Sequence, residues 1–462
     1  MFLDRQHSIA PEGYSRWRVP PAALAIHLAI GQAYAFSVFN LPLSTLLGGD
    51  KAAPDDWKLS TIGWIFSTAI VFLGLSAFTF GRWLEEAGPR KAMFASAMCF
   101  AGGFFVAAIG VHLHIIWIIY LGYGVIGGIG LGLGYISPVS TLIKWFPDRP
   151  GMATGLAIMG FGGGAMIGSP LAVALMAHFK SPTSAGVTAT FFAMGAIYFV
   201  FMMFGVFTVR LPAPGWKPAG WEPEARKPEA RKPEAGRAFA ARRTPPAPDV
   251  HVDEVITTRQ FWLLWIVLCF NVTAGIGVLG QASPMIQEMF PGVIGAAAAA
   301  GFVGLLSLAN MIGRFVWSSC SDIIGRRATY MIFFVLGAIL YALVPTTGRM
   351  GSVTLFVACY VVILSMYGGG FATIPAYLRD LFGVMHVGAI HGRLLTAWSV
   401  AGVAGPVLVN YIREYQIAHG VAKANAYSVT MYLMAGLLVV GFIANYLVTP
   451  VAASHHWRKD NG

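Results

Sequence analysis

The sequence is dominated by a succession of apolar stretches of about 20 residues or more, the length a helix needs to cross the hydrocarbon of a bilayer. Twelve can be marked, at roughly 19–47, 60–80, 92–111, 115–143, 151–177, 187–209, 261–282, 293–317, 328–348, 351–377, 394–412 and 427–449. A chain built this way has few ways to fold. In hydrocarbon each segment must satisfy its own backbone N–H and C=O groups, so every stretch is expected to be a helix and the chain an all-α membrane protein. Composition agrees, with 56% hydrophobic and only 11% charged residues. An average soluble chain has about 25% charged residues. Too few remain here to cover a water-facing surface.

Connections between the stretches are short except one. Leu211 to Thr258 is rich in Pro, Ala, Glu, Arg and Lys and carries the run PEARKPEARKPEA. With little apolar side chain to bury, it is expected to be a disordered or extended linker. The chain therefore divides into an N-terminal tail (1–18), a six-helix bundle (19–210), the linker (211–258), a second six-helix bundle (259–450) and a C-terminal tail (451–462). Lys and Arg set the orientation. The segments on the side of the termini hold 24 of them and the opposite segments 6. Both termini and the linker are thus expected in the cytoplasm, and the protein in a bacterial cytoplasmic membrane.

The net charge of +11 does not indicate nucleic acid, because the basic residues lie in the linker and at the ends of apolar runs. Cys99, Cys269, Cys320 and Cys359 show no pairing or metal-ligand spacing, and no cofactor or metal site is expected. No nucleophile–base set appears, so the chain is not read as an enzyme. The glycine runs from Gly127 to Gly134 and Gly160 to Gly168 lack the strand and the Lys-Ser/Thr of a phosphate loop, which argues against ATP. Gly124, Gly128 and Gly132, at four-residue spacing, instead permit close helix contact. The first run, Val19 to Leu47, is far longer than a signal-peptide core.

The two halves are related. Glu85, Gly88 and Arg90 correspond to Asp322, Gly325 and Arg327, and Pro138, Gly151 and Gly155 to Pro375, Gly388 and Gly392, every pair 237 residues apart. Six matches at one offset indicate a parallel repeat of six helices, in which a substrate site is expected near the midplane, between the halves.

Twelve helices in two repeats with acid-x-x-Gly-x-Arg signatures resemble the major facilitator superfamily. Within it GQAYAFSVF, KWFPDRPGMATGL, GRFVWSSCSDIIGRR, FATIPAYLRDLFG and HGRLLTAWSVAGVAGP resemble the oxalate:formate antiporter family. The likeness spans nearly all of the chain except the tails and linker. It implies a secondary transporter working by alternating access on small carboxylate anions.

Arg314 is the most informative residue. It lies eight residues before Asp322, more than two turns inside the eighth stretch. An Arg there costs roughly 2.5–3.5 kcal/mol on insertion scales. No carboxylate lies at comparable depth in any stretch, all 20 being in tails, loops or helix ends. A cation without a fixed counter-ion is what an anion site requires, and Asn310, one turn earlier, can orient the guanidinium. In the resembled family the matching Arg contacts the substrate carboxylate. That family also carries a Lys in the eleventh helix, where the alignment places Ser399. A single cation favours a monocarboxylate such as formate, acetate or lactate over oxalate, or a substrate whose second end is polar rather than charged, with Ser399 expected beside the substrate. By the same resemblance Tyr34, Tyr135, Phe161, Tyr367 and Phe371 match aromatic positions around the substrate, and Gln32 is a further donor.

His27, inside the first stretch, is the candidate for proton coupling. Glu85, Arg90, Asp322, Arg326 and Arg327 are expected to form gates at helix ends. Glu85 stands where the superfamily usually has Asp, and Pro89 where it often has Arg, so the first gate is expected to be weaker than the second. The charge balance favours anion exchange, because an empty carrier would have to bury an uncompensated cation. The alternatives are a proton-coupled monocarboxylate symporter and, from another class, a membrane sensor on a transporter fold.

Overall fold

The computed structural model describes residues 2–47, 53–181, 184–220, 248–279 and 281–457. Among them there are only three isolated backbone bridges and no strand, and twelve helices are long and apolar enough to cross a membrane. These are α1 (Arg16–Phe36), α2 (Thr61–Ala87), α3 (Pro89–His112), α4 (Ile116–Trp145), α5 (Pro150–Phe179), α6 (Val187–Thr208), α7 (Arg259–Leu279), α8 (Gly301–Ile324), α9 (Arg326–Arg349), α10 (Val353–Phe382), α11 (Val387–Ala418) and α12 (Lys423–Tyr446). Several run past their apolar stretch. Asp322, Arg379 and Asp380 continue α8 and α10 beyond the lipid-compatible residues because their side chains find polar partners at the helix ends.

Glycine sets the close approaches. A Cβ on Gly124, Gly128 or Gly132 of α4 would meet Thr68, the Ala69 carbonyl or the Ser76 hydroxyl of α2 at 2.9, 2.7 and 2.2 Å. The spacing seen in the sequence is therefore the α2–α4 contact. α5 fits between α1 and α8 in the same way, with Gly164 against the Leu28 carbonyl and Gly162 against Met311. α1 is α-helical over Pro20–Ile30 and tightens to a 3₁₀ helix over Gly31–Phe39. Such a stretch often marks a functional segment, and Tyr34 lies in it.

The halves α1–α6 and α7–α12 meet along α2–α11, α5–α8 and α5–α10. Both tails lie on one face, where Ile9 bridges to Leu211 and Val250 to His456; this is the terminus side, and the opposite face is the far side. The ends of the expected linker are ordered. Trp216 packs edge-on to Trp145 at 4.7 Å, Val252–Val255 form one helical turn, and Val250, Val252 and Val255 are fully buried. Those valines are apolar side chains of the kind that is sparse in the rest of the linker sequence. The PEARKPEARKPEA run falls in residues 221–247, outside the described residues.

Candidate functional site

Arg314 is fully buried. Its Nε donates to Asn310 Oδ1 at 3.0 Å and Nη1 to the Ile158 carbonyl of α5 at 3.4 Å. Nη2 is buried without a partner. The guanidinium carbon lies 5.6 Å from the ring centre of Phe161 and 5.3 Å from that of Phe371, so cation–π attraction supplies part of the stabilisation a counter-ion would give. Asn310 is held where α10 comes closest, since a Cβ on Gly368 would meet the Asn310 carbonyl at 2.2 Å.

The aromatic residues converge on this guanidinium. Tyr34 and Tyr367, from opposite halves, place their hydroxyls 3.2 Å apart. Phe161 meets Tyr34 and Tyr135 edge-on at 4.8 and 5.6 Å, and Phe371 meets Tyr367 at 5.3 Å. At the centre stands a residue that sequence reasoning missed. The Trp398 ring lies 4.4 Å from Phe371, 5.2 Å from Tyr135, 5.5 Å from Phe161 and 6.3 Å from Tyr34. Its indole Nε1, the Tyr135 hydroxyl and Arg314 Nη2 are buried and make no hydrogen bond of good geometry, although Arg314 lies within reach of the Tyr34 and Tyr135 hydroxyls. Three unsatisfied donors from three helices therefore border one aromatic cage, and buried donors of this kind need an acceptor.

Two expected site residues face elsewhere. Ser399 donates to the Ile70 and Val71 carbonyls of α2 at 3.1 and 3.2 Å, and a Cβ on Gly74 would meet its Oγ at 2.0 Å. One residue is about 100° around a helix, so with Trp398 turned into the cage Ser399 points at α2. Gln32 accepts from the Tyr123 hydroxyl at 3.1 Å and packs on Gly168, inside the first bundle. His27 is fully buried beside Tyr135, its Nδ1 3.2 Å from the Ala23 carbonyl.

A cavity of about 380 Å³ leads to the cage from the far side, lined by Tyr34, Phe66, Gly162, Leu279, Ser307 and Asn310 among others. Arg314 lies just behind its floor, one turn from Asn310 and next to Tyr34. A larger groove of about 920 Å³ sits on the terminus side between Arg327, Tyr377 and Tyr446, away from the cage.

The terminus side is closed by two repeat-related seams. At α5–α8, Asp322 accepts from the amides of Gly151 and Met152, both at 2.9 Å, and from Arg326 at 2.6 Å; Arg326 also donates to Asp380 at 3.0 Å. At α2–α11, Glu85 accepts from the Gly388 amide at 3.2 Å, Ser140 at 2.7 Å and Lys144 at 2.5 Å. In both, an acid at the end of one helix meets the positive N-terminus of a helix in the other half. The seams fit because a Cβ on Gly151 would meet the Ser318 carbonyl, and one on Gly392 the Ala77 carbonyl, each at 2.1 Å. Arg90 and Arg327 stand outside both seams. Arg90 donates to the Phe2 and His7 carbonyls of the N-terminal tail, and Arg327 bonds the Tyr446 carbonyl at the end of α12. They start α3 and α9, on the outer side of each half, and so fasten chain ends. Lys144 at Glu85, and Asp253 at Arg393, were not anticipated, because nothing in the sequence connects them to their partners.

The family follows from comparison with known proteins. The model of the Major Facilitator Superfamily matches residues 22–406 and 289–462. The chain belongs to that superfamily: it is an integral membrane protein and a secondary transporter, not an enzyme. It is 26% identical to the oxalate:formate antiporter of Oxalobacter formigenes over 83% of this chain and 81% of that one. It is 23% identical to the apicoplast pyruvate carrier 1 of Toxoplasma gondii over 74% and 68% of the respective chains. Among solved structures, the E. coli fucose:proton symporter superposes with a TM-score of 0.64 at 13% identity, covering 94% of this chain and 100% of that one, a likeness of fold.

Proposed function

We propose that the protein exchanges small carboxylate anions across a bacterial cytoplasmic membrane, its termini cytoplasmic, by alternating access around Arg314, with monocarboxylates favoured. The observation that carries this reading is the buried guanidinium of Arg314, which has one terminal nitrogen unpartnered and no carboxylate among its bonding partners. Asn310 orients it, Trp398 and Tyr135 offer two further donors, and Tyr34, Phe161, Tyr367 and Phe371 enclose an anion of small size. A bound monocarboxylate neutralises Arg314; without one, the halves must close over a bare cation, which is costly in a low dielectric. Loaded carriers therefore reorient and empty ones stall, which is exchange. The names of the two carboxylate-carrying relatives support the substrate class. On this orientation the far-side cavity faces the outside and the two terminus-side seams face the cytoplasm.

Uptake of labelled formate, acetate, lactate and oxalate into proteoliposomes, with and without an internal counter-anion, tests this for the wild type and Arg314→Ala. Internal anion should stimulate uptake at least about tenfold, an effect lost in the variant. Uptake that followed an inward proton gradient without counter-anion would overturn the exchange reading.

A further inference from the structure

On the terminus side of the cage a second polar cluster joins the halves. His27 of α1 and His391 of α11 flank Tyr135 of α4, their ring centres 5.4 and 5.8 Å from its ring. His27 spends Nδ1 on the Ala23 carbonyl, and Nε2 makes no hydrogen bond of good geometry, its nearest acceptor being the Tyr135 backbone. Both nitrogens of His391 and the Tyr135 hydroxyl are also buried and unpartnered, with His391 only 1% exposed. Four polar atoms left unsatisfied around one side chain call for an explanation, because each such group carries a desolvation cost.

The surrounding charges narrow it. Arg314 and His391 both lie within electrostatic range of His27, and Tyr34 within that of Tyr135. Tyr367, from α10, faces Tyr34 and Tyr135. The acid at the adjoining seam, Glu85, is held by Lys144, Ser140 and the Gly388 amide. His386 is turned to His251 at 5.1 Å, towards the end of the linker. No fixed anion among the described residues balances a protonated imidazole here. A bound substrate can.

We propose that His391, with His27 and Tyr135, is a proton site that adds a second positive charge to the Arg314 site, so that the carrier moves a monocarboxylate without a proton and a dicarboxylate together with one. This rests on the reading of Arg314 as the anion ligand. A monoanion neutralises Arg314 and leaves both imidazoles neutral. A dianion leaves one negative charge, which an imidazolium compensates. The proton binds and leaves on whichever side the site is open to: by way of the Tyr135 hydroxyl when the far side is open, and through the α2–α11 seam when that parts, since His391 lies three residues beyond Gly388 of that seam. It leaves with the substrate. Closure on the substrate brings an imidazole nitrogen to the Tyr135 oxygen, which accepts its proton as the hydroxyl passes its own to the carboxylate. The products are a neutral imidazole, an unchanged tyrosine and a singly protonated acid.

The full chain in proteoliposomes tests this with labelled oxalate or formate outside, formate inside, symmetrical pH between 6 and 8, and an entrapped pH dye. Oxalate is doubly charged throughout that range. Wild-type oxalate exchange should rise about tenfold from pH 8 to pH 6, as the bound dianion draws a proton onto an imidazole that stays neutral in its absence, while formate exchange changes less than about twofold. One proton should accompany each oxalate. His391→Gln should flatten the oxalate profile at its pH 8 rate and leave formate exchange intact, with His27→Gln acting in the same direction. Oxalate exchange with no accompanying proton in the wild type, or an unaltered oxalate profile in His391→Gln with formate exchange intact, would overturn the proposal. Both readouts are in the wild type or controlled by formate, so a misfolded variant does not blunt the test. Failure of Arg314→Ala to impair formate exchange would instead remove the anion-site reading itself.

Discussion

At the α5–α8 seam Asp322 accepts from two main-chain amides and from Arg326, and Arg326 is shared with Asp380. At the α2–α11 seam its repeat partner Glu85 accepts from one amide, a serine and Lys144. The repeat preserves the arrangement, an acid facing a helix N-terminus in the other half, but not its cation. Pro89 occupies the position that corresponds to Arg326, and Lys144 arrives from α4 instead. Arg326 is 8% exposed and enclosed, whereas Lys144 is 22% exposed and can turn its ammonium to water. The α5–α8 seam is thus the stronger lock and the α2–α11 seam, beside His391, the one that yields. Asp322→Asn should therefore have the largest effect. It removes charge from three bonds, each worth about 1.5–3 kcal/mol when charge-assisted. A shift of roughly 2–4 kcal/mol towards the terminus-open state is expected. Spin-label distances across the mouth of the far-side cavity would report it, and a smaller shift than in Glu85→Gln would reverse the ranking of the seams.

The glycines separate backbone from side-chain contact. At Gly151 a Cβ would meet the Ser318 carbonyl at 2.1 Å, an obstacle that cannot rotate away. At Gly388 the nearest atom is the Glu85 Oε1 at 2.5 Å, the far end of a flexible side chain. Overpacking of this kind costs about 1–3 kcal/mol. Gly151→Ala should sit at the upper end and slow exchange strongly, and Gly388→Ala near the lower end. Equal loss of transport in the two variants would show that the seams are equally rigid.

Much of this could be read in the sequence because it depends on spacing. Asn310 and Arg314, four apart, do bond, and the repeat-related glycines do fall in matching seams. What failed depended on which way a single side chain turns. Ser399 and Trp398 are neighbours, and an alignment that shifts by one residue exchanges a cage wall for an interhelix clamp. A signal for Trp398 existed, since it is the one large side chain next to the position that the resemblance marks at Ser399. Gln32 was misplaced for the same reason, two residues from Tyr34 and so on another face. The motif around Arg90 and Arg327 suggests gates, whereas their partners, the Phe2 and His7 carbonyls of the N-terminal tail and the Tyr446 carbonyl at the end of α12, carry no pattern of their own.

Glu85→Gln tests the weaker seam directly. It keeps the Ser140 and Gly388 contacts in altered form and frees Lys144, which at 22% exposure can turn its ammonium to water. A cost of roughly 1 kcal/mol is expected, seen as a modest rise in the terminus-open fraction that added salt partly reproduces. A cost equal to that of Asp322→Asn would mean that Lys144 grips its acid as firmly as Arg326 does.

The smallest expected effect lies at the end of the linker. Asp253 bonds Arg393 of α11 at 2.5 Å and approaches Arg82 of α2 at 3.6 Å, so one exposed carboxylate touches both sides of the weaker seam. The hydrogen bond from Arg393 holds its carboxyl below the usual carboxylate range, partly offset by burial and reinforced by the positive charges of Arg393, His251 and Arg82. A depressed value means that the latch is complete above the ordinary Asp pKa of about 3.9 and weakens as the pH falls through the lower, paired one. Over the pH range in which transport is measured the carboxylate stays ionised, so its own titration does not contribute to the imidazole-driven profile expected of oxalate exchange. Because the carboxylate is half exposed, Asp253→Asn should cost less than about 1 kcal/mol, and less still in physiological salt. The effect belongs to the α2–α11 seam alone: Asp253→Asn should add nothing measurable in a Glu85→Gln background already opened there, yet should add fully to Asp322→Asn. Additivity in both backgrounds, measured by the same label distances, would show that the linker end acts independently of either seam.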